Sequence, residues 1–494
     1  MRVGVVGAGL GGLSAAAHLV AAGHDVAVYE RAGSPGGLAA SDVVDGYRLD
    51  VGPTVLTMPE VIADAFGALG DDLGRFVKMH RVDPLYRAVF ADGSTFRVRS
   101  EVDATVEEVR AFAGDREADN FVAFVEWLRT LYRIEMPDFI DADFDSTTDL
   151  VRRWRPLLRL VRHAGVRRVD HAVSSFIEDP RLQRVFSFQS LYAGVPPQRA
   201  MSLYSVITYL DTVAGVWGVE GGITAVAEAL ADRLARRGVA FEYDTPVARV
   251  VRNHDGAVSA LELADDRRVR VDAVVLNTDP MRSYRSLLDI RAPRRLRPAE
   301  YSPSCVAWAA GLAAAAPVDA AMHNVHFGWA WDEAFDALGR GVHPHDPSTF
   351  VTVTSHGDPT AAPEGGSSIL AIELVPNLRG KVDWTSDGAR IADALRSRLG
   401  RFGYPVDTTV VDRTIDPLGW RTMGLEAGTP FSLAHTVAQT GPLRPRNADP
   451  RIPGLAFVGA GTVPGVGVPT VVLSGKLAAH RIDTYAAATR TVRW

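Results

Sequence analysis

A turn near the N-terminus has the glycine spacing of a pyrophosphate-binding loop. It lies between an apolar stretch at residues 3–6 and an alanine-rich stretch that ends at residue 23, and it contains Gly7, Gly9, Leu10, Gly11 and Gly12. The first glycine of such a loop permits a tight turn, the second lets the backbone approach phosphates, and the last lets helix pack on strand. The N–H groups at the start of the helix then face the anion.

A carboxylate follows at the distance expected for binding a ribose hydroxyl. Residues 25–29 read as a second strand, and Glu30 ends it about 20 residues after the glycines. Strand, turn, helix, second strand and acid in this order predict dinucleotide binding. The alternative is a glycine-rich turn in an α/β protein without a ligand. The chain has no second loop of this spacing, so we predict one dinucleotide.

Further turns and strand ends supply more candidate cofactor contacts, because ligands of such folds lie at the carboxyl ends of the strands. A second glycine pair follows Glu30, a turn-rich cluster surrounds residue 53, a buried strand at 273–276 ends in a polar turn, and a glycine-rich loop occupies 459–467. The candidates are Arg31, Gly36, Gly37, Leu38, Gly52, Pro53, Thr54, Val247, Asn277, Asp279, Gly459, Ala460, Gly461, Gly467, Val468 and Pro469.

The chain is too long for one ordinary core. Its 494 residues predict two domains. Segments of nucleotide-domain character predict an α/β fold in which a discontinuous Rossmann-type domain comprises residues 1–65, 220–285 and 425–494. The intervening segments, 66–219 and 286–424, predict an inserted substrate domain of mixed α+β structure that faces substrate and membrane.

Composition excludes several functional classes. A hydrophobic fraction of 47% argues against disorder, and a net charge of −6 argues against binding nucleic acid. No uninterrupted apolar stretch of about 20 residues is present, so any membrane contact is expected to be peripheral. Cys305, the single cysteine, excludes an internal disulfide and is compatible with the cytoplasmic location that we expect. We predict no metal site, although a histidine group invites the hypothesis: His323, His326, His343, His345 and Asp346.

Motifs along almost the whole chain resemble the carotenoid (phytoene) desaturase family, a branch of the amine-oxidase-like flavoproteins. The most specific motif is VGAGTVPGVGVP at residues 458–469. The others are VVGAGLGGLSAAAHL at 5–19, LDVGPTVLTMPE at 49–60, DPLYR at 83–87, SFQSLYAG at 187–194, NTDP at 277–280, YSPS at 301–304, and Gln439, Arg444 and Pro445.

The resemblance implies non-covalent FAD, transfer of a hydride from a long polyene or isoprenoid chain to the flavin, and reoxidation by quinone or oxygen. Desaturation also needs a dry, apolar site. We expect aromatic and aliphatic residues of the inserted segments to form it as a long tunnel. The candidates are Phe186, Phe188, Leu191, Tyr192, Tyr204, Trp217, Phe327 and Trp329, of which Phe188, Tyr192, Trp217, Phe327 and Trp329 are predicted to bind substrate.

Several positions depart from the family pattern. Leu38 stands in place of an arginine, Val463 in place of a histidine, Thr470 in place of a glycine, and Val219 with Glu220 in place of a proline and a basic residue. These changes keep two alternatives open, a redox-neutral isomerase or saturase and a non-catalytic flavoprotein. For a desaturase, Glu220 is the predicted catalytic base, because a carboxylate beside an apolar site has a raised pKa; the alternative is a solvated loop glutamate.

A basic segment suggests a membrane contact. Residues 151–169 contain seven arginines and no acid, with apolar residues interleaved. Such a stretch suits anionic lipid headgroups, and Arg152, Arg153, Trp154, Arg155 and Arg159 are the predicted contacts. A solvated surface that pairs with the acidic residues at 138–149 is the other interpretation.

Overall fold

The computed structural model describes residues 1–491 apart from 145, 147, 166 and 298. Its strands are β1 (Arg2–Val6), β2 (Asp25–Tyr29), β3 (Ser41–Val44), β4 (Tyr47–Asp50), β5 (Met79–Arg81), β6 (Tyr86–Phe90), β7 (Thr95–Val98), β8 (Trp217–Val219), β9 (Ala240–Glu242), β10 (Val247–Arg252), β11 (Val258–Leu263), β12 (Arg268–Arg270), β13 (Ala273–Leu276), β14 (Ser304–Leu312), β15 (His323–Phe327), β16 (Thr349–Val353), β17 (Ser367–Val375), β18 (Thr409–Ile415) and β19 (Leu455–Phe457).

The helices vary from single turns to more than twenty residues. They are α1 (Leu10–Ala21), α2 (Pro59–Ala68), α3 (Val102–Ala113), α4 (Asp115–Glu135), α5 (Thr148–Arg152), α6 (Trp154–Ala164), α7 (Val169–Ser174), α8 (Pro180–Val185), α9 (Ser205–Tyr209), α10 (Thr224–Ala235), α11 (Pro280–Arg282), α12 (Trp331–Gly339), α13 (Thr354–Gly357), α14 (Trp384–Arg401), α15 (Pro417–Thr422) and α16 (Val468–Thr491).

A parallel sheet in the order β19-β13-β1-β2-β9 carries the glycine loop. Its strands come from all three segments assigned to the nucleotide domain, although the domain boundaries themselves stay a prediction. Strand β13 is buried throughout, as expected of a strand that is covered on both faces. Helices α1 and α16 pack closely, and a Cβ on Gly475 would lie 2.6 Å from the Gly11 carbonyl oxygen. The small residue therefore sets the distance between the two helices.

A second large sheet has the order β18-β14-β17-β16-β15-β6-β7 and is antiparallel except between β15 and β6. Its strands lie in the two segments predicted as the substrate domain. Strand β14, which has a neighbour on each side, is buried along its whole length. Helix α14 covers one face with Trp384, Ile391 and Leu395. The mixed α/β architecture confirms the predicted fold class.

The chain changes sheets between β12 and β13. The sequence pattern suggests alternation from 268 to 276, but β12 pairs with β11 in a separate three-stranded sheet, and β13 joins the parallel sheet. The Asp272 N–H donates a hydrogen bond to the Arg2 carbonyl oxygen, with 2.8 Å between the nitrogen and the oxygen. The chain thus passes from one sheet to the other at residues 271–272, which a pattern of alternation alone does not reveal.

Candidate functional site

The glycine turn adopts the geometry for which its spacing is suited. Gly7 has a φ of +102°, and a Cβ on Gly12 would clash with the Gly7 carbonyl oxygen. Helix α1 begins directly afterwards, and the N–H groups of its first turn lack intrahelical acceptors. Its N-terminus therefore offers N–H donors and a positive dipole end to an anion.

The Glu30 carboxylate fixes this turn from the end of β2. It is buried, and its two oxygens accept hydrogen bonds from the Ala8 N–H at 2.7 Å and the Ala32 N–H at 2.9 Å. Each carboxylate oxygen has a further lone pair. Glu30 thus holds two loops together and keeps acceptor capacity for a ligand hydroxyl.

Asn277 follows β13 and reaches under the same turn. The amide is oriented so that its oxygen faces the N–H groups of the turn. This oxygen accepts hydrogen bonds from the Gly9 N–H at 3.2 Å and from the Gly12 N–H at 3.3 Å. The N–H groups of Leu10 and Gly11 remain without an intrahelical acceptor. Asp279, two residues on, caps α11 by accepting from the Met281 N–H at 2.9 Å, and burial raises its pKa to about 6.

A buried arginine supports the glycine-rich loop on the other side. Arg444 is fully buried, and its guanidinium donates to backbone carbonyl oxygens: Thr462 at 2.9 Å, Ala460 at 2.6 Å, Leu433 at 3.2 Å and Gln439 at 3.3 Å. Desolvation lowers its pKa to about 10, so it stays charged at neutral pH. A positive charge thus lies directly behind the loop at 459–462.

A cavity of about 920 Å³ extends from these loops into the inserted segments. Residues from both sheets line it. The predicted cofactor contacts among them are Gly7, Gly9, Leu10, Glu30, Arg31, Gly36, Gly37, Leu38, Gly52, Pro53, Thr54, Val247, Asn277, Asp279, Gly459, Ala460, Gly461, Gly467, Val468 and Pro469. Gly11 and Gly12 are not among its lining residues and support the turn from behind.

The far part of the cavity is an aromatic chamber. Phe188, Leu191, Tyr192 and Phe327 line it. The rings of Phe188 and Phe327 lie 6.1 Å apart, and those of Phe188 and Tyr192 lie 5.9 Å apart. Trp331 also lines the cavity and contacts Phe327 at 5.4 Å between ring centroids. This part of the chain therefore encloses a largely apolar space that continues from the glycine loops.

Four of the predicted tunnel residues lie elsewhere. Trp217 belongs to β8, which pairs with β5, and Trp329 is 68% exposed. Neither lines the cavity. Phe186 and Tyr204 are buried, Phe186 against Phe121 and Tyr204 against His435. Aromatic type alone does not distinguish a chamber wall from core packing, because both favour large apolar side chains.

The predicted catalytic role of Glu220 does not fit the structure. Its side chain is 56% exposed and pairs with Lys78, with 3.1 Å between Oε2 and Nζ. It does not line the cavity. The solvated alternative therefore describes Glu220, because the turn that precedes α10 points it to the surface.

The histidine group does not assemble. His323 bonds Thr352 at 3.1 Å, and His326 bonds the Tyr404 hydroxyl at 3.2 Å and stacks on Phe402. Across the residues that the structure describes, no group of three or more His, Cys, Asp or Glu side chains is placed to hold a metal ion. Both histidines thus serve as core residues of β15.

Sequence reasoning missed one carboxylate in the cavity. Asp211 follows Leu210 at the end of α9, and both residues line the chamber. The available signal was an isolated acid in the otherwise uncharged stretch 200–219. Its position between two chamber-lining elements depends on tertiary packing.

The residues present fit a flavin dinucleotide. The cradle at Gly7 and Gly12 excludes side chains, the start of α1 offers donors for a pyrophosphate, and Glu30 keeps acceptor capacity for a ribose hydroxyl. The same cavity continues into an apolar chamber. Fold and site together define a dinucleotide-binding protein of the α/β class.

Comparison with known proteins identifies the family. The model of flavin-containing amine oxidoreductases matches residues 10–483, and the chain belongs to that family. It is 43% identical to a phytoene dehydrogenase of Streptomyces griseus, over 97% of this chain and 95% of the relative. It is 34% identical to a zeta-carotene-forming phytoene desaturase of Myxococcus xanthus, over 98% of this chain and 94% of the relative. These relatives confirm the resemblance that the motifs indicate.

Solved structures share the fold. An oxidoreductase from Methanosarcina mazei has a TM-score of 0.65 at 15% identity, with 96% of this chain and 99% of that chain covered. A cyclohexylamine oxidase from Brevibacterium oxydans has a TM-score of 0.62 at 15% identity, with 98% and 99% covered. The family confirms the predicted FAD cofactor and an FAD-dependent oxidoreductase. Within the described part of the chain, no helix is both long and apolar enough to cross a bilayer.

Proposed function

We propose that this protein desaturates a carotenoid-like polyene, with phytoene as the first substrate to test. The observation that carries the proposal is the continuity of the cavity from the glycine loops to the aromatic chamber. The relatives that are named for phytoene match nearly the whole chain. A long apolar substrate can thus lie in the chamber with one C–C bond beside the cofactor.

Bound FAD would supply the hydride acceptor, and the chain supplies position and dryness. We assign the pyrophosphate to the N-terminus of α1, the ribose to Glu30, and the flavin end to the loop at 459–469. Phe188, Tyr192 and Phe327 would hold the polyene, and their rings exclude water from the bond that reacts. The positive charge of Arg444 behind Ala460 would favour electron-rich states of a flavin next to that loop. We propose quinone or oxygen as the acceptor that reoxidises it.

Anaerobic mixing of the FAD-loaded protein with phytoene in liposomes tests this function. We expect the flavin absorbance to bleach, the product to lack two hydrogen atoms, and quinone or oxygen to restore the colour. Interconversion of substrate isomers without bleaching would support the isomerase alternative instead. FAD binding with no turnover of any polyene would support the non-catalytic flavoprotein. The E220Q variant is the control, because its exposed side chain is outside the cavity.

We also propose that α6 contacts the membrane that holds such substrates, from the expected cytoplasmic side. The helix buries Leu160 and Ala164 and exposes Trp154, Leu158 and Val161, with Trp154 at 55%. Positions 154, 158 and 161 share one helix face. The exposed Arg152, Arg155, Arg159 and Arg162 flank it, so the surface combines apolar and cationic groups as interfacial helices do.

The other interpretation, a solvated surface that pairs with the acidic residues at 138–149, accounts for only part of this surface. Arg159 lies 3.8 Å from Asp138, and Arg152 lies 3.4 Å from Asp149. Both arginines remain largely exposed, so these pairs are worth little in water. Arg155 instead stacks on the Trp154 ring, 5.3 Å from its centroid.

Flotation with vesicles decides between the two interpretations. We expect the protein to float with anionic vesicles and much less with neutral ones, and L158E to lose the anionic binding. V318E is the matched control, because Val318 is a fully exposed valine in another part of the chain. Failure of the unmodified protein to float with anionic vesicles would contradict the membrane proposal.

A further inference from the structure

Asp211 is a buried carboxylate in the wall of the apolar chamber. It lies in the π-helical turn Leu210–Ala214, which continues α9, and its residue exposure is 2%. Such turns occur frequently at functional sites. Its Oδ2 atom has no hydrogen-bond partner among the described residues. A buried carboxylate oxygen without a partner is costly, so the chain maintains this group at a free-energy cost.

The surroundings favour the neutral carboxyl group. The titratable groups that face Asp211 are Tyr192, from the turn at Phe188–Ala193, and Tyr86, from β6. The Tyr86 hydroxyl is engaged with Gln189 and Thr212, at 2.7 and 3.2 Å. Burial raises the pKa of Asp211 to about 7, and a hydrogen bond from Tyr192 opposes the rise. Among the residues that the structure describes, no cation contributes to this pKa, so protonation is governed by burial and by one hydroxyl.

We propose that Asp211 is the catalytic base of the desaturation, an inference that rests on the proposed function. Loss of a hydride to FAD leaves one substrate carbon electron-deficient. The C–H bond of the neighbouring carbon then breaks, its electron pair forms the second bond of the new alkene, and its proton goes to the carboxylate of Asp211. The carboxyl group releases this proton to water before the next turnover, so the substrate loses two hydrogen atoms in all.

The geometry favours Asp211 over other acids near the cavity. Both oxygens of Glu30 hold backbone N–H groups, and Asp279 is engaged as a helix cap and by the Tyr301 hydroxyl at 3.0 Å. Glu426 pairs with Arg285 at 2.7 Å. Asp211 combines an unpartnered oxygen with a chamber-lining aromatic neighbour, Tyr192.

Single-turnover reduction of FAD by phytoene, measured from pH 5.5 to 8.5, tests the role. The wild-type rate is expected to rise with pH through about 7, because only the ionised carboxylate accepts a proton. D211N should bind FAD normally, react about 10²- to 10⁴-fold more slowly, and lose the pH dependence. Y192F should move the rise to higher pH, because it removes the hydrogen bond that stabilises the ionised form. D211E should restore part of the rate, with a pH dependence of its own.

Infrared spectra provide a readout that needs no substrate. In the difference between spectra of FAD-loaded wild type and FAD-loaded D211N, which cancels the other buried acids such as Asp279 and Glu135, a protonated-carboxyl band should be present at low pH and disappear near pH 7. A wild-type enzyme that desaturates phytoene while D211N reacts within tenfold of it would overturn the role of Asp211 alone. A wild type that shows the infrared titration but desaturates no polyene would overturn the proposed function and, with it, this role. If D211N fails to retain FAD, the Y192F profile decides, and an unmoved rise there would refute the proposal.

Discussion

The burial of Asp211 makes a prediction about stability that does not depend on turnover. Its pKa rises from 3.8 to about 7 in the folded protein. The folded state therefore keeps a proton that the unfolded chain has already lost. The contribution of this group to the stability of the fold is therefore fully present below pH 3.8. It decreases as the pH rises from 3.8 and is lost once the pH has passed through about 7. Each pKa unit is worth about 1.4 kcal/mol, so the ionised carboxylate costs the folded state about 4 kcal/mol.

The D211N variant removes this dependence while it keeps the side-chain shape. Between pH 5 and pH 8 the wild type should lose about 3 kcal/mol relative to D211N, because only the part of the rise above pH 5 is sampled. An unfolding entropy of about 2.1 cal/mol/K per residue gives about 1 kcal/mol per kelvin for 494 residues. The melting temperature of D211N minus that of the wild type should thus grow by about 3 °C.

Melting curves at saturating FAD measure this difference. Any fixed cost of the asparagine amide cancels, because it is the same at both pH values. E220Q is the control: its acid is exposed, and its melting temperature should follow the wild type at both pH values. A D211N difference that does not change between pH 5 and pH 8 would refute the assignment of Asp211 as a carboxylate whose protonation is controlled by burial.

Three further substitutions probe the cofactor cradle. G12A places a methyl group against the Gly7 carbonyl oxygen, at an overpacking cost of about 1–3 kcal/mol. The variant should show sharply reduced flavin absorbance per protein. Normal flavin content would contradict the assignment of this turn as the cofactor cradle. E30Q removes one of the two carboxylate acceptors, and a hydrogen bond to a charged group is worth about 1.5–3 kcal/mol. The variant should therefore bind FAD about 10- to 100-fold more weakly in a titration. Unchanged affinity would exclude Glu30 from FAD binding. R444M leaves four carbonyl oxygens without their donor. At about 1 kcal/mol for each lost hydrogen bond, the melting temperature should fall by about 4 °C. An unchanged melting temperature would show that Arg444 is dispensable for the loop.

Local signals were sufficient for the N-terminal part of the cofactor domain. The spacing of Gly7, Gly9 and Gly12 fixes a turn, because each position has a steric requirement that only glycine meets. Residues 223–237 have helical spacing and residues 247–252 alternate as a strand does, and the structure has α10 at Thr224–Ala235 and β10 at Val247–Arg252. Boundaries marked by glycine and by strong periodicity are encoded in a few adjacent residues, so the sequence alone reveals them.

The chamber required information that no short segment holds. Phe188, Phe327 and Trp329 have similar side chains, yet two line the cavity and the third is exposed. The difference arises because β15 lies between β16 and β6 inside its sheet and ends at Phe327, whereas residue 329 lies beyond the strand. Sheet order depends on pairings between residues far apart in sequence, such as β15 with β6, and these cannot be read from alternation within one strand.

The two acids between α9 and α10 show how burial, and not residue type, decides which one can do chemistry. Asp211 and Glu220 are nine positions apart, and either could be a base as judged from sequence. The turn at Leu210–Ala214 keeps Asp211 among the aromatic residues of the chamber, whereas β8 then carries the chain to the surface, where Lys78 neutralises Glu220. Desolvation raises the pKa of Asp211 to about 7, where a carboxylate can exchange a proton. The same burial that weakens the fold at high pH therefore gives the chamber its proton acceptor.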